Sequence, residues 1–218
     1  MTRPFLQDYN LRRRQVKRYL AMVSCTERAI RLSGGSQLSL DRLHLLRAGT
    51  YLILYNLVEA SARGALDAIH EAMNAERISF AALSPTLRRE VVKGFKRNAD
   101  PEKQSAITDI QIDIVSMSLN AGYHFSGNVD AKLIRSIASL YGFSADTDKT
   151  LTRSGADLVI IKSTRNDLAH GDKTYDEVGR NVTARNLLEL ALRATNYIET
   201  ILYNVDEYLN IKGYSAAA

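Results

Sequence analysis

The chain has 218 residues, of which 45% are apolar, so it can bury a substantial core; the 12 Gly and 3 Pro are too few for the many turns of an all-β domain. A single cysteine, Cys25, excludes an internal disulfide framework and any multi-cysteine zinc site. The net charge is +5, and residues 1–31 hold eight Lys/Arg against Asp8 and Glu27, which leaves the rest close to neutral. A basic segment of that kind attracts polyanions or forms a solvated helix face.

Residues 5–33 read as a helix from the spacing of Leu6, Tyr9, Val16, Leu20, Val23 and Ile30, with Gly34-Gly35 as its stop and Cys25 as a small core residue. Asp41 offers an N-cap for a long helix over about 41–76. Its middle, Leu45 to Val58, is apolar on nearly all sides and is expected to be buried. Ser84-Pro85 suits the start of another helix. Residues 98–105 form a polar break, and 106–120 read as helical with a strand-like start at Ile107. Residues 120–128 read as a loop, 129–141 as a short amphipathic helix, and 144–154 as polar and exposed. A helix over about 155–169 closes on Gly171, a loop over 172–182 follows, and the last helix covers about 183–210. The longest apolar run, Tyr51 to Tyr55, is far too short to span a membrane, and no signal pattern opens the chain, so the sequence reads as soluble and cytoplasmic. The expected fold is all-α: a four-helix bundle from about 5–76 and 155–210, with a helical insertion at about 79–145, in one domain.

The segment Arg165-Asn166-Asp167-Leu168-Ala169-His170-Gly171 carries the chemistry. It places a permanent cation and a proton-transfer group close together at one helix end. Histidine as a residue type titrates near neutral pH, so it serves as base or acid. Arginine forks onto phosphate oxygens and stabilises a charge-rich phosphorane. Asn166 and His170 stack on one face, four residues apart, whereas Arg165 and His170 lie roughly 140° apart around the axis. A two-fold dimer would gather two Arg and two His in one cleft. Alternatively, His170 caps the helix C-terminus and Arg165 pairs with an acid such as Glu59. His44, His70 and His124 lack a second His or Cys at ligand spacing, so no metal site and no cofactor are expected; His124, between Tyr123 and Phe125, reads as a packing residue. Lys162, Lys173 and Arg180 flank the motif as candidate contacts to an RNA backbone, or as solvated charges.

The run Arg-Asn-Asp-Leu-Ala-His-Gly at 165–171 resembles the signature of the HEPN superfamily. Tyr55-Asn56-Leu57-Val58-Glu59 is similar to the acidic site on that family's central helix. Gly127-Asn128-Val129-Asp130 through Tyr141-Gly142-Phe143, and Tyr175 to Arg180, resemble features of the roughly 200-residue HEPN nucleases of prokaryotic defence and toxin–antitoxin loci. The resemblance runs from about residue 40 onward. It implies a helical bundle, a homodimer, and metal-independent cleavage of RNA that leaves 2′,3′-cyclic phosphate ends. It implies Arg165 and His170 as the catalytic pair, Asn166 as their polar neighbour, Glu59 as the acidic position, and a gating antitoxin or defence-system partner. Some members carry a tyrosine two residues after the histidine as the target of a modifying partner; here that position is Asp172, and the nearest tyrosine is Tyr175. A non-catalytic helical module that binds RNA or a protein partner is the alternative.

Overall fold

A computed structural model describes residues 3–97, 107–125 and 127–216. Among the described residues the regular structure is entirely helical, with one isolated bridge between Leu83 and Ser215. The α-helices are α1 (Pro4–Ser33), α2 (Gln37–Ala75), α3 (Pro85–Arg97), α4 (Ile110–Ser118), α5 (Ala131–Tyr141), α6 (Lys149–Thr152), α7 (Ala156–His170), α8 (Tyr175–Arg180) and α9 (Ala184–Asn210). They pack as two compact units. The first comprises residues up to Ser61, Asn128–Ala131 and Thr147–Glu199; the second comprises Ala62–Gly127, Lys132–Asp146 and Thr200–Ala218. The expected insertion at 79–145 falls in the second unit except for Asn128–Ala131, which belong to the first.

The first unit gathers α1, the leading part of α2, α7 and the leading part of α9. Helix α1 starts on Pro4, whose missing N–H has no helical partner to lose there, and ends on Gly34 in the left-handed region (φ 67°). It buries Phe5, Leu6, Tyr9, Val16, Leu20 and Val23 on one face. The Tyr9 hydroxyl donates to the Thr195 carbonyl (3.0 Å), which ties α1 to α9, and the Tyr19 hydroxyl donates to the Leu46 carbonyl (2.9 Å), which ties it to α2. Glu27 accepts from Arg47 (2.8 Å) and from the Ala184 amide (2.7 Å), so one carboxylate joins α1 and α2 and satisfies an orphan N–H at the start of α9. Partial burial raises its pKa, but these bonds outweigh that and hold it below the ordinary glutamate value. Asp157, fully buried in the first turn of α7, accepts from Arg193 Nε (2.6 Å) and Arg153 (3.3 Å) and fastens α7 to α9. The residue before α7 is Gly155, at φ 78°; a Cβ there would come within 2.5 Å of Ala131 and 2.8 Å of the Tyr197 ring.

In the second unit, Gly94 of α3 lies where a Cβ would meet the Ser118 carbonyl at 2.1 Å, so α3 and α4 touch backbone to backbone. The core there centres on Tyr141, whose hydroxyl lies 2.7 Å from His70 Nε2 and whose carbonyl accepts from the Tyr208 hydroxyl (2.7 Å). His124 stacks edge-on against Tyr141 (5.9 Å) and sits 3.8 Å from buried Glu90, a packing position.

Several expectations are corrected. Helix α2 begins at Gln37, because Asp41 is not its cap but the i+4 acceptor for the Gln37 amide (2.7 Å). Leu45 is 54% exposed, and full burial within the 45–58 stretch is confined to positions such as Leu54, Tyr55, Leu57 and Val58. Cys25 is exposed, on the face of α1 opposite the core. No strand opens α4; Asp109 caps it by accepting from the Gln111 amide. The 144–154 stretch contains α6 and a 3₁₀ turn, and the 172–182 loop contains α8, opened by a Thr174/Glu177 capping box. The polar break at 98–105 lies outside the described residues.

His70 gives this unit a pH dependence. Burial, with His124 adding to it, pushes its pKa down to about 3. In the unfolded chain a histidine takes a proton near ~6.5, so below that pH protonation favours unfolding until the folded-state value is reached. Stability is therefore expected to fall by about 3 kcal/mol from pH 7 to pH 4 through this residue alone. Urea titrations across that range should show the acid limb flattened in His70→Gln; an identical limb in both proteins would assign the loss to other groups.

Candidate functional site

The motif occupies the last turns of α7, which ends on Gly171 in the left-handed region (φ 80°). Leu168 is buried and anchors this turn, while Arg165, Asn166 and Asp167 are half-buried and His170 is exposed. The helix end thus sends its cation and its imidazole in different directions, as the five-residue spacing requires.

The Arg165 guanidinium sits over the buried Tyr55 ring of α2, its Cζ 4.6 Å from the ring centroid. One Nη donates to the Asn166 Oδ1 (2.9 Å), and the Asn166 amide donates in turn to the Asn128 Oδ1 (2.9 Å). The Tyr55 hydroxyl accepts from the Val129 backbone N–H (3.1 Å) and is hydrogen-bonded to the Glu59 carboxylate one turn further along α2. Burial, with the Glu59 charge adding to it, raises the Tyr55 pKa, so at neutral pH the phenol stays protonated and its O–H is the hydrogen-bond donor to Glu59. Lys162 reaches Asp130 (2.5 Å). The segment Asn128–Asp130 is therefore fastened at three successive residues: to Asn166 and Lys162 of α7 and to Tyr55 of α2.

The flanking cations are engaged. Lys173 pairs with Asp167 (2.6 Å), which raises the Lys173 pKa, and its own N–H bonds the Asp167 carbonyl (3.2 Å), closing the turn after α7. Arg180 pairs with Asp176, which also bonds His44 Nδ1 (2.6 Å). The Asp176–His44 bond ties α8 to α2, as does Arg47, which donates to the Gly179 carbonyl; a Cβ at Gly179 would lie 2.1 Å from the His44 carbonyl oxygen. Among the described residues one group, Asp41, His44 and Asp176, has donor atoms for a metal within 4.8 Å of one another. His44 and Asp176 bond each other directly, and the second Asp176 oxygen serves Arg180, so the geometry is that of a hydrogen-bonded tether between α2 and α8.

Sequence reasoning singled out Arg165, Asn166, His170 and Glu59 but did not assign Tyr55, Asn128 or Val129 to the site. Tyr55 was legible as the residue four before Glu59 and hence on the same helix face. Asn128 and Asp130 lie in the 127–143 stretch that resembles the family, but nothing local to them states that they reach α7.

An all-α fold that ends one helix in Arg-Asn-x-x-x-His, with a buried tyrosine bonded to a half-buried glutamate behind the arginine, is of the HEPN class that the motif resembles. The chain belongs to the MAE_28990-like HEPN family, whose model matches residues 1–214, including the N-terminal segment for which the motifs offered no parallel. No curated protein and no solved structure matches it. No described helix is long and apolar enough to cross a membrane.

Tyr55→Phe should separate the two functions of this tyrosine. The ring under Arg165 stays, while the Val129 N–H, in a fully buried residue, loses its acceptor. A loss of about 1–2 kcal/mol in denaturant unfolding is expected. A variant as stable as the parent would mean that the Val129 bond contributes nothing.

Proposed function

We propose that the chain is a metal-independent endoribonuclease of a prokaryotic defence or toxin system, acting as a homodimer of one HEPN domain per chain, with Arg165 and His170 as the catalytic pair. The observation that carries this reading is the pairing of an arginine held against Tyr55 with an exposed histidine five residues on, at the end of one helix. The family membership supports RNA as substrate. In the reaction, neutral His170 takes the proton from a ribose 2′-OH and the oxygen attacks the adjacent phosphorus. The bond to the 5′-oxygen breaks, and that oxygen leaves with a proton from the protonated His170 of the second copy. The products are a 2′,3′-cyclic phosphate and a 5′-hydroxyl. Arg165 neutralises the phosphorane oxygens, which carry more charge than the starting diester. DNA lacks the nucleophile and is not cut.

Asn166 keeps Arg165 in place through its carbonyl oxygen and is itself held by Asn128. Glu59 acts one step back, through Tyr55. Lys162, Lys173 and Arg180 contact RNA only by leaving the carboxylates they now hold, so their contribution is the smaller one. Gating by an antitoxin or another defence component fits an exposed histidine that a bound protein would cover.

The test is cleavage of a labelled RNA in EDTA. His170→Ala and Arg165→Ala are each expected to lower the rate by about 10²–10⁴-fold. The same RNA with 2′-O-methyl groups should be resistant, and the wild type should sediment as a dimer. A protein that binds RNA but leaves it intact, equally in wild type and His170→Ala, would move the reading to the non-catalytic module.

A further inference from the structure

Helix α1 carries a row of polar and cationic side chains along a face that flanks its buried one. Gln7, Asn10, Arg14 and Lys17 follow at steps of three and four, with Arg3 at the helix start and Arg18 beside Lys17. Gln7, Asn10, Arg14, Lys17 and Arg18 are all exposed, and no acid stands among them. The acids of this helix are spent elsewhere: Asp8 pairs with Arg12, and Glu27 serves Arg47, Arg31 and the start of α9. Arg13 is pinned to Glu199 of α9. Among the described residues Arg14, Lys17 and Arg18 hold no carboxylate, so their positive charge faces outward on this 30-residue helix.

Steps of three or four residues rise about 4.5–6 Å along a helix, so the long Lys and Arg side chains of the row can reach neighbouring phosphates of one strand. Beside this row lies a groove of about 290 Å³ lined by Val16, Leu20, Leu188, Ala191, Leu192 and Thr195, with Arg13 and Lys17 on its lip. Leu188 and Leu192 are 44% and 58% exposed, and the Thr195 hydroxyl is turned back onto its own helix. A cationic row takes the backbone of a single-stranded nucleic acid, and the aliphatic floor beside it offers apolar contact to unpaired bases without an aromatic platform to stack on. A membrane surface fits less well. A helix lying on lipid turns its apolar face outward, and α1 buries its own in the core.

We propose that α1 is an RNA-backbone track, separate from the Arg165/His170 site, on which unpaired RNA is held through Arg14, Lys17 and Arg18. This rests on the ribonuclease reading only in choosing RNA as the polyanion, and its test is arranged so that cutting plays no part. The probe is a fluorescent single-stranded RNA of about 20 nucleotides with 2′-O-methyl groups throughout, which 2′-OH attack cannot cleave. Its binding to the wild-type chain and to Arg14→Glu/Lys17→Glu/Arg18→Glu is followed by anisotropy across a salt series, with helicity and melting temperature checked for both. The charge-reversed protein is expected to bind at least about tenfold more weakly, and its log–log salt slope to be shallower by about 2, as for three lost contacts to a single strand. If the reversed protein is misfolded, Arg14→Gln/Lys17→Gln/Arg18→Gln is used, with the same slope change expected. Unchanged affinity and slope would overturn the proposal. So would unchanged RNA binding with lost binding to phosphatidylserine/phosphatidylcholine vesicles, which would assign the row to a lipid surface.

Discussion

The Tyr55 ring sets where the motif helix can sit. Arg165 is a long side chain on a half-exposed helix end, and free it would sweep a wide volume at a large entropic cost when it docked on a phosphate. Laid on the ring at 4.6 Å and hydrogen-bonded to Asn166, it is held before any ligand arrives. Cation–π contact of this kind contributes about 0.5–2 kcal/mol, more when water is excluded. The ring in turn cannot rotate away, because its hydroxyl is occupied on one side by the Val129 N–H and on the other by Glu59. An acid on the central helix therefore reaches the arginine through a tyrosine. The one partner sequence reasoning named for Arg165, Glu59, acts at second hand.

The same logic of indirect support recurs in the first unit. Asn128, Val129 and Asp130 are consecutive residues that each satisfy a different group of the site: Asn166, Tyr55 and Lys162. Such a strap is inexpensive in chain length and strict in register, since shifting it by one residue would unmake all three bonds together. Asp157 does comparable work at the other end of α7. A buried carboxylate is costly unless its lone pairs are filled, and here two arginines fill them. Helix α7 is thus fixed at both ends by polar contacts, while Leu158, Ile161 and Leu168 supply the apolar contact between them. That rigidity matters for a site whose geometry is set by one helix.

The motif, the helices and the all-α class were legible because they are local. Apolar spacing exposed α1, α7 and α9 to within a residue or two, and the 165–171 run lies in one continuous stretch. The Arg165–Tyr55 and Asn166–Asn128 contacts join residues far apart in sequence, and nothing in either neighbourhood states the pairing. Two misses had signals that were available. Thr174-x-x-Glu177 is a capping-box pattern and announced α8 inside the expected loop. Cys25 lies opposite Val16 and Val23 on the helical wheel, so its exposure follows from the spacing that predicted the helix. Helix α2 was missed by four residues at its start, because Asp41 looks like a cap and serves as a side-chain acceptor for Gln37 instead.

The placement of Arg165 and His170 also bears on why the proposed reaction calls for two copies. An α-helix turns about 100° per residue, so five residues separate two side chains by roughly 140°, whatever the rotamers. Here the arginine is committed inward to Tyr55 and the histidine outward to solvent. A phosphate drawn to one helix end meets the imidazole readily and the guanidinium only at its edge. Cleavage by 2′-OH attack also asks for a base and an acid on opposite sides of the phosphorus, and a single imidazole cannot stand on both. Two helix ends facing each other across a two-fold axis answer both demands at once, because the second copy supplies the missing histidine and brings its arginine to the far side of the phosphate. On the proposed mechanism, the geometry that leaves one chain with a single outward imidazole is the geometry that a second copy would complete.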